Sequence, residues 1–290
     1  MTASKRRRAE KWLEIPARQL SERGTVLLRE PASANVPELV RRLRAGEYDK
    51  PFVVDDGKAR RLHFNLDFVQ SEMALDDPYA LNFVYTRKMM SFLLFVPKPK
   101  HIVIVGLGGG SLSKFCWRQL PQAKVTTVEI DGDVLAFSKL FEMPPPDDRM
   151  RVLHADAADY FATAEERADV VLIDGCDREG VAPALCSDAF YQNIARNLRP
   201  RGMLVMNLIG PAHVAETHLR HMASAFSGRI LLRKVSIGGN RLLFAFKDAR
   251  YIPDWSAIQD AAKGLEEAYG LDFPGFARKL RHSQQFQFAG

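Results

Sequence analysis

Two carboxylates stand three residues apart in VLIDGCDREG (171–180), where Asp174 closes an apolar run and Asp177 follows across a Gly-Cys pair. Acids so placed either cap a loop or form a reaction centre, and two close together can raise one another's pKa, which suits a base. Upstream, VGLGGGSL (105–112) ends a second apolar run in glycines, Gly106, Gly108 and Gly109 among them. Glycines let a ligand approach the backbone, and the N–H groups of the helix that follows are free to meet it. Phosphate is one occupant of such a turn and an adenosyl amino acid is another. Glu129, about twenty residues on, can hold both hydroxyls of a ribose. Asp156 in HADAADYF (154–161) can accept from an adenine amino group, with the backbone N–H of Ala157 beside it.

These side chains need a scaffold that brings them to one edge. From His101 the pattern alternates between buried strand and helix. HIVIVG, KVTTVEI, RMRVLHAD, ADVVLIDG and GMLVMNL read as strands. SLSKFCWRQL, DGDVLAFSKLF with Asp131 as cap, AADYFATA, SDAFYQNIARNL with Ser187 as cap, and HVAETHLRHMASAF read as helices between or after them. RILLRKVSIGGNRLLFAFK reads as two strands joined at Gly238–Gly239, an antiparallel edge. Continuous apolar strands alternating with helices imply an α/β fold with a doubly wound parallel sheet, Rossmann-like and of the methyltransferase type. In such sheets ligands bind at the carboxyl ends of the strands. Gly106, Glu129, Asp156 and Asp174 close the first four strands in order. Four such residues in register fit an S-adenosyl crevice better than four unrelated loop caps.

The first part of the chain has another character. TVLLRE, PFVVDDG and ARRLHFNLDFVQ read as strands, and VPELVRRLRAG as a helix that Gly46 ends. Residues 78–95 read as a connecting helix, and VPKPK (96–100) as a stiff connector. The expected division is a small N-terminal β-rich domain with that helix over 1–97, and the S-adenosyl-binding domain over 98–290.

The 290 residues suffice for a large core, and the apolar runs are far too short to span a bilayer. MTASKRRRAEKW is basic but has no apolar segment after it, so no secretory signal is expected and the cytoplasm is the expected location. Cys116, Cys176 and Cys186 form neither a disulfide framework nor a metal spacing. His213, His218 and His221 read as surface polar residues, and no metal is expected. The net charge of +6 sits partly in Lys5–Arg8, RRLR (41–44) and ARRLH (59–63), which read as solvated basic faces, so no nucleic acid partner is expected.

Four stretches carry a family resemblance. They are FVQSEMALDDPYALNFVYTRKMM (68–90), VEIDGDVLAFSKLF (128–141), RVLHADAADYF (151–161) and DVVLIDGCDREGVAPALCSDAFYQNIARNLRPRGMLVMNL (169–208). In their order and spacing, across about residues 48 to 247, the chain resembles the polyamine aminopropyltransferases, the family of spermidine synthase. The resemblance implies transfer of a three-carbon amine from decarboxylated S-adenosylmethionine to a di- or polyamine, in a homodimer. It implies that Asp174 takes the acceptor's proton, that Asp177 holds the cationic acceptor, that Tyr85 orients it and that Gln70 lines its site. The adenosyl half falls to Gly106, Gly108, Gly109, Glu129, Asp156, Ala157 and Asp174.

The chain also departs from the family pattern. Gly109 stands where the family has an Asp, Thr86 where a Gln follows the orienting Tyr, and Arg178 where a Pro follows the second Asp. VSIGGN (235–240) replaces a tyrosine-bearing stretch. Two alternatives therefore stand beside aminopropyl transfer. One is methyl or other group transfer from ordinary S-adenosylmethionine, and the other is an adenosyl-binding module without turnover.

Overall fold

The computed structural model describes residues 12–175, 185–210, 212–235 and 239–286. The chain divides into two units, Met1–Asp77 and Pro78–Gly290. The N-terminal unit is an antiparallel meander of β1 (Leu13–Pro16), β2 (Thr25–Leu28), β3 (Phe52–Asp55), β4 (Ala59–His63) and β5 (Val69–Ala74), paired in chain order. The stretch read as one strand over 59–70 is two strands. Asn65 breaks it, because its side-chain oxygen accepts from the backbone N–H groups of Asp67 and Phe68 and turns the chain back. Helix α1 (Val36–Ala45) lies between β2 and β3 in sequence. Asn35 caps its start through the N–H of Glu38, and Gly46 ends it at φ +70°. Its buried stripe of Leu39, Val40 and Leu43 shares a core with Val26, Leu28, Phe52 and Val54.

The C-terminal unit begins with α2 (Val84–Met89), followed by a tighter turn over Met90–Leu94. Helix was expected from residue 78, but it starts six residues later. The Arg87 guanidinium donates to the carbonyls of Leu81 and Asn82, the acceptors that an earlier start would need for its own ladder. Met89, Met90, Phe92, Leu93 and Leu94 are buried in this unit's core, so the division falls before the connecting segment and not at VPKPK.

The sheet of this unit is built from β6 (His101–Val105), β7 (Lys124–Glu129), β8 (Met150–His154), β9 (Ala168–Ile173), β10 (Leu198–Leu208), β11 (Ile230–Lys234), β12 (Arg241–Phe246) and β13 (Gln284–Phe286). Its order is β13-β11-β12-β10-β9-β6-β7-β8. The five strands from β8 to β10 are parallel, while β12, β11 and β13 pair antiparallel with their neighbours. The strand order reverses between β6 and β9, and that reversal opens the crevice at the carboxyl edge.

Both faces of the sheet are covered. Ile102 and Ile104 join a core with Ile258, Ala262, Phe273, Phe276 and Leu280 of α8 (Trp255–Tyr269) and α9 (Phe273–Arg281). Val103 and Val105 point the other way, into a core with Phe161, Phe190, Ile194 and Met222 of α5 (Ala157–Thr163), α6 (Asp188–Asn197) and α7 (Ala212–Ala225). Burial on both faces explains why β6 is apolar at every position after His101. Among the described residues, no helix is long and apolar enough to cross a membrane.

His218 departs from the surface reading of the three histidines. It is buried, with Nδ1 2.6 Å from the Tyr191 hydroxyl, and burial lowers its pKa to about 4. α7 turns that face onto α6, which the sequence spacing of three histidines does not reveal. Cys116 is buried as well, and its thiol is pushed up to about 12, which removes it as a nucleophile.

Candidate active site

The crevice is assembled where β6, β7 and β9 end together. Gly106 donates to the Val128 carbonyl at 2.9 Å, and Asp174 donates through its backbone N–H to the Val105 carbonyl at 2.9 Å. Gly106 has φ +92°, and a Cβ there would lie 2.5 Å from the backbone oxygen of Asp174. Only glycine allows the two strand ends to run this close. Gly108 and Gly110 also have positive φ, and the loop passes through Gly109 into α3 (Ser111–Gln119). The loop therefore presents backbone, without an acid, to whatever it holds.

Glu129 ends β7 and is nearly buried. Its Oε2 accepts from the Leu107 N–H at 2.7 Å and its Oε1 from the Asp131 N–H at 2.8 Å. Burial raises its pKa, and the N–H groups of Asp131 and Leu107 pull it back. The carboxylate thus clamps the glycine loop to the end of β7, and each oxygen still has accepting capacity for a hydroxyl. Asp156, after β8, caps α5 by accepting from the Ala158 N–H at 2.7 Å. The N–H of Ala157 belongs to the first helical turn, which has no intrahelical partner.

Asp174 follows β9, and its carboxylate accepts two side-chain hydrogen bonds. Tyr85 donates its hydroxyl proton to Oδ2 at 3.1 Å, and Asn207 donates from Nδ2 to Oδ1 at 2.9 Å. A carboxylate only accepts, so the Asn207 amide must turn its oxygen away. That oxygen accepts from Asn240 Nδ2 at 2.9 Å. Burial raises the Asp174 pKa, and the bonds from Asn207 and Tyr85 lower it in part. The result is a carboxylate held in orientation by two donors and poised to take a proton.

Tyr85 and Asp174 therefore meet, as do Gly106 with Asp174 and Glu129 with the loop. Asp156 and Ala157 stand on the same carboxyl edge, at the end of β8. Gln70 lies in the N-terminal unit, half-buried at the second position of β5. Asp177 lies outside the described residues. Thr86 is buried and donates to the Phe83 carbonyl at 2.8 Å, so it serves the start of α2. Asn207 and Asn240 were not foreseen. The signal for Asn207 was an amide inside the apolar run GMLVMNL, at a strand's carboxyl end, whereas Asn240 had none. Among the described residues, no group of three or more His, Cys, Asp or Glu is placed to hold a metal.

Residues 82–226 match the Spermine/spermidine synthase domain. The chain is 34% identical over 239 residues to a protein of Chromobacterium violaceum named polyamine aminopropyltransferase, covering 82% of this chain and 91% of that one. The chain belongs to the spermine/spermidine synthase family.

The match to that family's domain runs from just before α2 to the end of α7. It takes in Tyr85, Glu129, Asp156, Asp174 and Asn207, and leaves Gln70 and Asn240 outside. Two solved structures share the fold. A probable spermidine synthase from Corynebacterium glutamicum superposes with a TM-score of 0.61 at 19% identity, over 83% of this chain and 94% of that one. Human methyltransferase-like protein 13, in complex with SAH, superposes at 0.59 with 24% identity, over 64% of this chain and 92% of that one.

Proposed function

We propose that this chain transfers an aminopropyl group from decarboxylated S-adenosylmethionine to a di- or polyamine. The observation that carries the reading is the Asp174 carboxylate, held by Tyr85 and Asn207 at the strand-order reversal, one strand from the glycine loop and two from Glu129. Membership of the spermine/spermidine synthase family and the name of the Chromobacterium relative support it.

The acceptor is a cation in water, and only its neutral form has a lone pair to attack. That lone pair forms a bond to the carbon next to the sulfonium. The carbon–sulfur bond breaks, its electron pair stays on sulfur, and the adenosyl thioether leaves. Asp174, whose raised pKa suits a base, takes the acceptor's proton before the attack, so the alkylated nitrogen leaves as an ammonium. Tyr85 orients the acceptor, Asp177 holds its cationic end and Gln70 lines its site. Glu129 takes the ribose, Asp156 and Ala157 the adenine, and the backbone at Gly106, Gly108 and Gly109 the chain between. No metal enters this chemistry. The enzyme works in the cytoplasm as a homodimer in this reading, which sedimentation of the purified chain tests.

One feature favours a second donor. With Gly109 in the loop, no carboxylate there repels the carboxylate tail of ordinary S-adenosylmethionine. Calorimetric titration with each donor separates the two readings, and preference for the decarboxylated form is expected. Asp174→Asn is expected to abolish transfer and leave donor affinity nearly intact. Equal affinity for the two donors, with methylated product in place of an extended amine, would move the chemistry to methyl transfer.

A further inference from the structure

A hollow lined by positive charge opens on the C-terminal unit, outside the residues of the crevice. Two adjoining cavities of about 420 and 120 Å³ share Arg233 and Lys279 on their walls. Around them stand Lys88 from α2, Arg233 and Lys234 from β11, and Arg278, Lys279 and Arg281 from α9. Leu242, Phe244, Phe276 and Leu280 form an apolar floor in the smaller cavity. Among the described residues, no carboxylate lines either cavity.

Elsewhere several cations of this protein find acids. Arg41 pairs with Glu38 and Glu47, Arg60 with Asp55, and Lys124 with Glu166. None of the six cations of the hollow has such a partner among the described residues. The dipole of α9 favours Arg278, Lys279 and Arg281 at its C-terminal end. It does not account for Lys88 and Arg233, which come from other elements. Lys88 is partly buried, and its charged form is disfavoured first by burial and then by Lys279, Arg233 and Arg87. Gathering like charges in a concave, partly dry site costs free energy that a bound anion relieves. Several cations in one hollow match a multivalent anion, and the Arg fork together with Lys point charges suits phosphate oxygens. The larger cavity has the size of a small-molecule site.

We propose that this hollow binds a small phosphate-rich anion, either an oligophosphate chain or the phosphate tail of a nucleotide. The test is calorimetric titration of the full chain with tripolyphosphate, with ATP in the absence of metal, and with a short single-stranded RNA. Saturable one-to-one binding of tripolyphosphate or ATP is expected. Arg233→Gln/Lys279→Gln is expected to weaken it by roughly tenfold or more, because two charge-assisted contacts are lost. Arg220→Gln/Arg250→Gln removes the same net charge from exposed sites elsewhere and is expected to stay within about twofold. Lys88→Gln is a second variant, with the same expectation of weakened binding, should the double variant melt early. Tighter binding of ATP than of tripolyphosphate means that the floor reads the base, and equal binding means that the chain alone is read. Equal loss in the control variant, absence of saturation, or saturable binding of the RNA alone overturns the proposal.

Discussion

Replacing Asn207 with Leu removes one of the two donors that hold Asp174 in its charged form. Asn207 is 1% exposed, and its 2.9 Å bond ends on an anionic oxygen. A hydrogen bond to a charged group contributes about 1.5–3 kcal/mol. Losing that bond raises the Asp174 pKa in the variant and weakens the hold on its charged form roughly tenfold or more. Leucine has nearly the shape of asparagine, but it leaves the Asn240 N–H without its acceptor, which costs a further 1–3 kcal/mol or so of stability. The assay is the pH dependence of kcat/KM for aminopropyl transfer by wild type and Asn207→Leu. Deprotonation of the acceptor amine shapes both profiles alike, so the difference between them isolates Asp174. The acidic limb of the variant is expected to move to higher pH. Its rate then falls roughly tenfold below the limb and recovers above it. A rate lowered equally at every pH, with the limb unmoved, would refute the link between Asn207 and the Asp174 proton and leave Asn207 a packing residue.

Other perturbations separate binding from folding. Asp156→Asn keeps the cap on α5 and removes the charge, so donor affinity is expected to fall while the melting temperature holds; Asp156→Ala is expected to cost about 1 kcal/mol of stability as well, measured by urea titration. Unchanged donor affinity in both would remove Asp156 from the adenine site. Gly106→Ala pushes a Cβ to 2.5 Å from the backbone oxygen of Asp174 at a positive φ, and a loss of about 2 kcal/mol or more is expected. A wild-type urea midpoint would show that the strand ends yield freely. His218 protonates near pH 6.5 when unfolded but only at about 4 when folded, so the unfolded chain binds the extra proton in between. Its contribution is complete above pH 6.5, and stability is expected to fall by roughly 3 kcal/mol as pH drops toward 4. His218→Gln should flatten that segment of the stability profile, and an identical slope would exclude His218 as its source.

The local signals in the chain were sufficient for the framework. Continuous apolar runs against period 3.6 marked the strands and helices from His101 to Phe246, and the cap residues Asp131 and Ser187 act where their types suggested. Glycine and acid at successive strand ends placed the crevice, because a parallel sheet puts those ends on one edge. The reading of Tyr85 came from family resemblance, since a tyrosine on a helix face is otherwise an ordinary core residue.

Tertiary structure decided who meets whom. Tyr85 reaches Asp174 across 89 residues of sequence, and Asn207 reaches it across 33. Arg87 shortens the connecting helix by capturing two carbonyls, Asn65 splits a strand in two, and α6 buries a histidine that spacing placed outside. The cationic hollow draws on a helix near the start of the unit, the strand β11 and a helix near its end. Periodicity reports which face of an element is apolar. It carries no information on which polar side chains of distant elements lie within hydrogen-bond reach, and the charge state of Asp174 depends on that reach.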